Sequence, residues 1–186
     1  NNQNRLTMRN FTILLFILLF ISCKQEMLNN KIRLITLDPG HFHAALVQKT
    51  MYTDVDTTVY VYAPQSIDLQ YHSDRINNYN TRSENPTHWN QIVYTGDDFL
   101  NKMLSEKKGN VVILSGNNNK KIDYITQSLK NGLHVLADKP LVINSKGFEE
   151  LKNAFNVAEK QKVLLYDIMT ERFETNTVLQ KELAQY

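Results

Sequence analysis

The chain has 186 residues, 42% of them hydrophobic, which is room for one ordinary domain with a true core and at most a fragment of a second. Its formal net charge is only +2, and no basic stripe or Lys/Arg run interleaved with aromatics is present, so nucleic acid is excluded as an expected partner. A single cysteine excludes an intramolecular disulfide and a thiolate metal cluster.

The N-terminal region is a separate element. Met8-Arg9-Asn10 precedes the apolar run Phe11 to Ile21, and Ser22-Cys23 comes next, which is the n-region, h-region and small-residue pattern of an export signal. The run is shorter than the roughly 20 apolar residues of a membrane span, so it is expected to be removed. Phe20-Ile21-Ser22-Cys23 resembles the lipobox of a bacterial lipoprotein. That resemblance implies cleavage before Cys23 and diacylation of its thiol, with residues 24–30 as a tether. The mature protein is then exported and held at the bacterial cell envelope, touching the membrane through its lipid anchor only. Loss of residues 1–22 removes Arg5 and Arg9 and no acid, leaving 19 basic against 19 acidic residues.

From Lys31 onward, apolar runs of strand length alternate with segments of helical period, the pattern of βα units around a parallel sheet. The spacing predicts strands at Ile32 to Leu37, Thr57 to Tyr62, Ile92 to Tyr94, Val111 to Ser115, His134 to Ala137 and Val163 to Ile168. Several are continuous β-branched runs, as expected when helices cover both faces. Helices are marked by Phe99, Leu100, Met103 and Leu104, by Ile122, Ile125 and Leu129, and by Phe148, Leu151, Phe155 and Ala158. Asn131-Gly132 reads as the C-cap of the second. The polar stretch Tyr71 to Asn90 has no clean period and reads as the end of a helix joined to a long insertion. After the sixth strand come Thr170-Glu171-Arg172-Phe173 and a short helical tail.

Three turns carry candidate chemistry. The first strand runs into Asp38-Pro39-Gly40-His41-Phe42-His43-Ala44, a tight turn opening a helix, where amides and the macrodipole favour a pyrophosphate and Gly40 allows close approach. His41 and His43 form a His-x-His pair, but no third ligand accompanies them in the sequence, so no metal is expected; one ring should line a cleft and the other pack on the sheet. The fourth strand ends in Ser115-Gly116-Asn117-Asn118-Asn119, which could run along a ribose and a nicotinamide with amide hydrogen bonds or simply N-cap a helix. The fifth strand delivers Asp138-Lys139-Pro140 at its carboxyl end, where open parallel sheets bind ligands. Proline restricts the residue before it, so Lys139 is a fixed ammonium able to polarise a hydroxyl or carbonyl.

The succession of the Ser115 turn, a helix, Asn131-Gly132-Leu133-His134-Val135-Leu136 and Asp138-Lys139-Pro140 resembles the Gfo/Idh/MocA oxidoreductases, over about residues 31–170. The resemblance implies an α/β fold with a Rossmann-type, doubly wound parallel sheet over residues 31–170. Residues 171–186 begin a linker or a truncated C-terminal domain, and the family's α/β substrate domain is absent from this chain. It implies NAD or NADP as cofactor, held by Gly40, His41 and Phe42, by Ser115, Gly116, Asn117 and Asn118, and by Asp138 and Pro140. It also implies Lys139 as the catalytic residue beside the nicotinamide, a cis Lys139-Pro140 bond, and a homo-oligomer at full length. The implied reaction is hydride transfer at a CH–OH carbon of a sugar, polyol or cyclitol. An NAD-dependent glycoside hydrolase of the same family and a non-catalytic nucleotide- or sugar-binding lipoprotein are the alternatives. Three departures stand out: Asp138 replaces the usual Glu, the glycine-rich loop is reduced to one glycine, and the second strand ends Tyr62-Ala63-Pro64 without an acid for the adenosine ribose.

Overall fold

A computed structural model describes residues 31–168 and 174–185. The expected leader with Cys23, the tether at 24–30 and residues 169–173 lie outside the described residues. Six parallel strands form one sheet: β1 (Leu34–Leu37), β2 (Thr58–Ala63), β3 (Asn90–Thr95), β4 (Val111–Leu114), β5 (His134–Asp138) and β6 (Leu165–Ile168). Their order is β3-β2-β1-β4-β5-β6, the dinucleotide-binding order in which the winding direction reverses between β1 and β4. Every predicted strand is present, with ends moved by up to two residues; Ile32 is left as an isolated bridge to Val55.

The helices are α1 (His43–Leu46), α2 (Ile67–Thr81), α3 (Phe99–Glu106), α4 (Lys121–Lys130), α5 (Ser145–Gln161) and α6 (Thr175–Leu183). Side chains alternate across β1, so Ile35 and Leu37 enter one core with Met103, Ile125, Leu129, Val135 and Ala154, while Leu34 enters the other with Ala45, Val59, Ile76 and Trp89. Both faces of the sheet are therefore buried, which explains the uninterrupted apolar reading of β1 and β4. Among the described residues, no helix is long and apolar enough to cross a membrane.

Two expectations need correction. The stretch Tyr71 to Asn90 does begin as the end of a helix, but α2 runs on to Thr81 and the insertion after it is short; Ser66 accepts from Leu69 N as the N-cap of α2. Only Leu69, His72 and Ile76 of α2 are buried, so an amphipathic stripe three residues long is masked by exposed asparagines. The connection from α2 to β3 is short and pinned. Asn80 accepts from Thr87 Oγ1 and Trp89 N and donates to Trp89 O, while Trp89 Nε1 donates to Gln48 O. The second correction concerns the first turn, which opens onto a single helical turn, α1, and so offers little macrodipole.

Candidate active site at the sheet switch point

The crevice at the β1/β4 reversal is built from the turns that leave β1, β4 and β5. Asp38 leaves β1 at φ 46°, its amide donating to Tyr62 O and its carboxylate accepting from Asn117 Nδ2 at 2.5 Å and Tyr124 Oη at 2.9 Å. Burial and the Asp38 carboxylate push the Tyr124 hydroxyl up, so it remains a donor. Asn117 is thus a clamp between turns and not a helix cap; α4 begins after Lys120 without a side-chain cap.

Gly40 N donates to Ser115 O at 2.7 Å, drawing the first and second turns together. Gly116 has φ 93°, and a Cβ there would lie 2.5 Å from Gly40 Cα. A Cβ on Gly40 would meet its nearest neighbours at 3.4 Å. The tight packing of the two turns against each other thus requires glycine at Gly116, while Gly40 leaves ordinary room for a Cβ. Gly116→Ala is expected to lose about 2–4 kcal/mol from backbone strain plus overlap, whereas Gly40→Ala stays within about 1 kcal/mol. Urea melts of the two variants check this contrast, and equal midpoints would refute it.

Asp138, 3% exposed, is the hub beneath these turns. Its carboxylate accepts from Ser115 Oγ at 3.0 Å and Gly116 N at 3.4 Å, and it pairs with Lys121 Nζ at 2.5 Å. Lys121, 1% exposed, also donates to the carbonyls of Asp138 and Pro140. The same carboxylate faces two histidines: Asp138 Oδ2 lies 3.5 Å from His41 Nδ1 and 3.4 Å from His43 Nδ1. The side chains of Asp138 and Ser115, expected as cofactor contacts, are hydrogen-bonded to each other and to protein partners, and Asp138 also borders the β4/β5 cavity. His41 is exposed and lines the crevice, while His43 is buried, dividing the two rings as the sequence suggested. Burial, and next the adjoining His43, hold the His41 imidazole below its ordinary value, so it is neutral at neutral pH.

Two cavities flank the first turn and share Gly40 and His41 as a common wall. The one on the β4/β5 side, about 350 Å³, is lined by Gly116, Asn117, Asn118, Asp138, Lys139 and Pro140. Lys139 and Pro140 are exposed there, and the Lys139-Pro140 bond is cis. The other, about 210 Å³, runs between Pro39, Phe42 and α2, with Asp68, Tyr71, His72 and Arg75 on its wall. A ligand with two heads joined across a glycine turn matches this layout, so the residues present fit a dinucleotide. Asp68 supplies an acid that the end of β2 lacks, and the Arg75 guanidinium stands 5.8 Å over the Phe42 ring. The α2 wall was missed in the sequence, although its residues fall at helical spacing (68, 71, 72, 75) and could have been found by that period.

His72 is 4% exposed, and its Nε2 lies 3.1 Å from the Gln91 amide nitrogen, which donates to it. Burial, with a smaller contribution from Arg75, lowers its pKa to about 4. The unfolded chain then binds a proton before the folded one does, so stability is complete above the unfolded value of about 6.5 and falls as pH drops toward 4. Between pH 7 and about pH 4.5 the wild type should lose about 2–3 kcal/mol more than His72→Gln, measured by urea denaturation at both values. Parallel losses would show that His72 is not the group responsible.

Comparison with known proteins agrees with this geometry. The sequence profile of the Gfo/Idh/MocA oxidoreductase family, NAD-binding Rossmann fold, matches residues 64–167, more than half of the chain. No curated protein matches. The chain is 58% identical to a crystal structure from Parabacteroides merdae, described provisionally as an oxidoreductase, with a TM-score of 0.80 over 83% of this chain and 35% of that one. It shares its fold with a biliverdin reductase from Synechocystis in complex with biliverdin and NADP+, at 12% identity and a TM-score of 0.59 over 82% of this chain and 43% of that one. A 3-ketoreductase from Actinomadura kijaniata in complex with TDP-benzene and NADP gives 17% identity and a TM-score of 0.58, over 84% and 44%. The chain thus spans less than half the length of each of these proteins. With the strand order, the switch-point crevice and the profile match in agreement, the chain belongs to the Gfo/Idh/MocA oxidoreductase family and carries its NAD-binding Rossmann domain.

Proposed function

We propose that the protein containing this domain oxidises or reduces a CH–OH carbon of a sugar, polyol or cyclitol with NAD or NADP. The observation that carries the reading is an exposed lysine, Lys139, at the carboxyl end of β5, in one cavity with Gly40, Gly116 and Asn117. The cofactor, when bound, supplies or accepts the hydride. This chain's residues would hold and orient it: the Gly40 and Gly116 turns would offer backbone to its phosphates, with Asn117 and Asn118 on the β4/β5 cavity and Phe42 with α2 on the other cavity wall. The Lys139 ammonium would donate a proton to the substrate oxygen as hydride reaches the carbon in reduction, and the neutral Lys139 amine would take the hydroxyl proton as hydride leaves in oxidation. The amide and ammonium lining suits a polyhydroxylated molecule, which would complete its site with a further domain.

The test is a panel of aldoses, ketoses, polyols and cyclitols offered to the full-length protein with each nicotinamide, tracking absorbance of the reduced cofactor. Stoichiometric reduced cofactor and oxidised sugar are expected. Glycoside cleavage without net reduced cofactor would contradict this reading and favour a glycosidase. Export and lipid attachment at Cys23 are further proposals, supported by the lipobox resemblance; labelled palmitate should enter the wild type and not Cys23→Ala.

A further inference from the structure

We propose that His41, His43 and Asp138 form a binding site for one divalent cation of the zinc class. The sequence offered a His-x-His pair without a third ligand. The fold brings one, from a strand end almost a hundred residues away, and one ligand atom from each of the three lies within 4.8 Å of the others.

The spacing has a chemical meaning. Ligands about 2.0–2.1 Å from a tetrahedral zinc stand about 3.3–3.4 Å from each other. Asp138 Oδ2 lies 3.4 Å from His43 Nδ1 and 3.5 Å from His41 Nδ1, too long for strong hydrogen bonds and right for two edges of a coordination tetrahedron. His43 Nδ1 is buried and has no hydrogen-bond partner. A buried ring nitrogen in that state, aimed at a carboxylate oxygen, is a position an ion would satisfy.

The surroundings support a ligand role for the carboxylate. Its oxygens divide their duties: Oδ1 is held by Lys121 and Gly116 N, while Oδ2 accepts from Ser115 Oγ and faces the imidazoles. Outer partners of this kind fix the orientation of a ligating carboxylate. His41 is exposed and, with Asp138, lines the cavity of about 350 Å³ that also holds Lys139, so an ion held by the three residues would have an open side toward that cavity. Two histidines, one carboxylate and an open position are the donor set of catalytic zinc and related transition-metal centres, and magnesium or calcium would prefer more oxygen ligands. This goes beyond the nicotinamide reading and does not depend on it.

The experiment is a calorimetric titration of zinc chloride into the full chain, freed of metal by chelator and without nucleotide. One Zn²⁺ per chain is expected, with affinity reduced about 100-fold or more in His41→Ala and in His43→Gln, and unchanged in His88→Ala and Cys23→Ser. His41 is exposed, so its variant keeps the fold intact and the comparison valid. Co²⁺ should give the visible absorption of a tetrahedral centre, absent from both histidine variants at 41 and 43. No zinc binding by a chain with native circular dichroism would overturn the proposal, as would binding that survives His41→Ala and His43→Gln together. Because nucleotide is absent, either result leaves the dinucleotide reading to its own test.

Discussion

Lys121→Met is expected to destabilise the domain by about 3–5 kcal/mol, a large share of the roughly 5–15 kcal/mol that holds a typical domain together. Lys121 and Asp138 are 1% and 3% exposed, and their 2.5 Å contact is reinforced by two carbonyls that accept from the ammonium. Removing the ammonium leaves a buried carboxylate with only Ser115 and Gly116 as donors. Removing both charges is a different perturbation, since a buried pair replaced as a unit costs little. The double variant Lys121→Met with Asp138→Asn should therefore recover more than half of the loss. Urea midpoints for the wild type, both single variants and the double variant make the cycle; a loss below about 1 kcal/mol for Lys121→Met would show that the pair does not hold the turns together.

Lys139→Met should lower kcat of the full-length protein by about 10²–10⁴-fold, the range expected for removal of a positioned proton donor. Lys139 is exposed and takes no part in the Asp138 cluster, so stability of this variant should change by no more than about 0.5 kcal/mol. Affinity for the nicotinamide should change only a few-fold, because the backbone of the Gly40 and Gly116 turns is untouched. The combination of normal melting, near-normal cofactor binding and a collapsed kcat distinguishes a group that acts on substrate from one that supports the fold. A kcat within about ten-fold of wild type would remove Lys139 from the chemistry.

The two lysines also show what a sequence reveals and what it withholds. Lys139 was legible because Pro140 and the apolar run before it fix a strand end, and strand ends of a parallel sheet are where ligands sit. Lys121 was invisible: a lysine at a helix start is ordinarily a solvated charge, and only the packing of α4 against β4 and β5 buries it. The same holds for Asp138 between the two histidines, since contact between the β1 and β5 turns across β4 is long-range and leaves no local period. The strands were readable from apolar runs because both sheet faces are covered. The extent of α2 was not, because its asparagines are exposed or committed to pinning Trp89 while just three residues reach the core. The profile match starts at residue 64, beyond the first turn, so the segment in which this chain departs most from a glycine-rich loop is also the one that carries its His-x-His pair.

Dinucleotide binding in the β1/β4 crevice is the property on which the site's chemistry depends. Calorimetric titration of NAD, NADH, NADP and NADPH into the folded chain, beside Gly40→Asp, measures it directly. A Cβ at Gly40 has ordinary room, so that variant keeps the fold while placing a carboxylate in the turn shared by both cavities. Micromolar binding of at least one nucleotide, lost in Gly40→Asp, is expected. Absence of binding by a chain with native circular dichroism, or equal binding by both proteins, would show that the crevice is not a dinucleotide site.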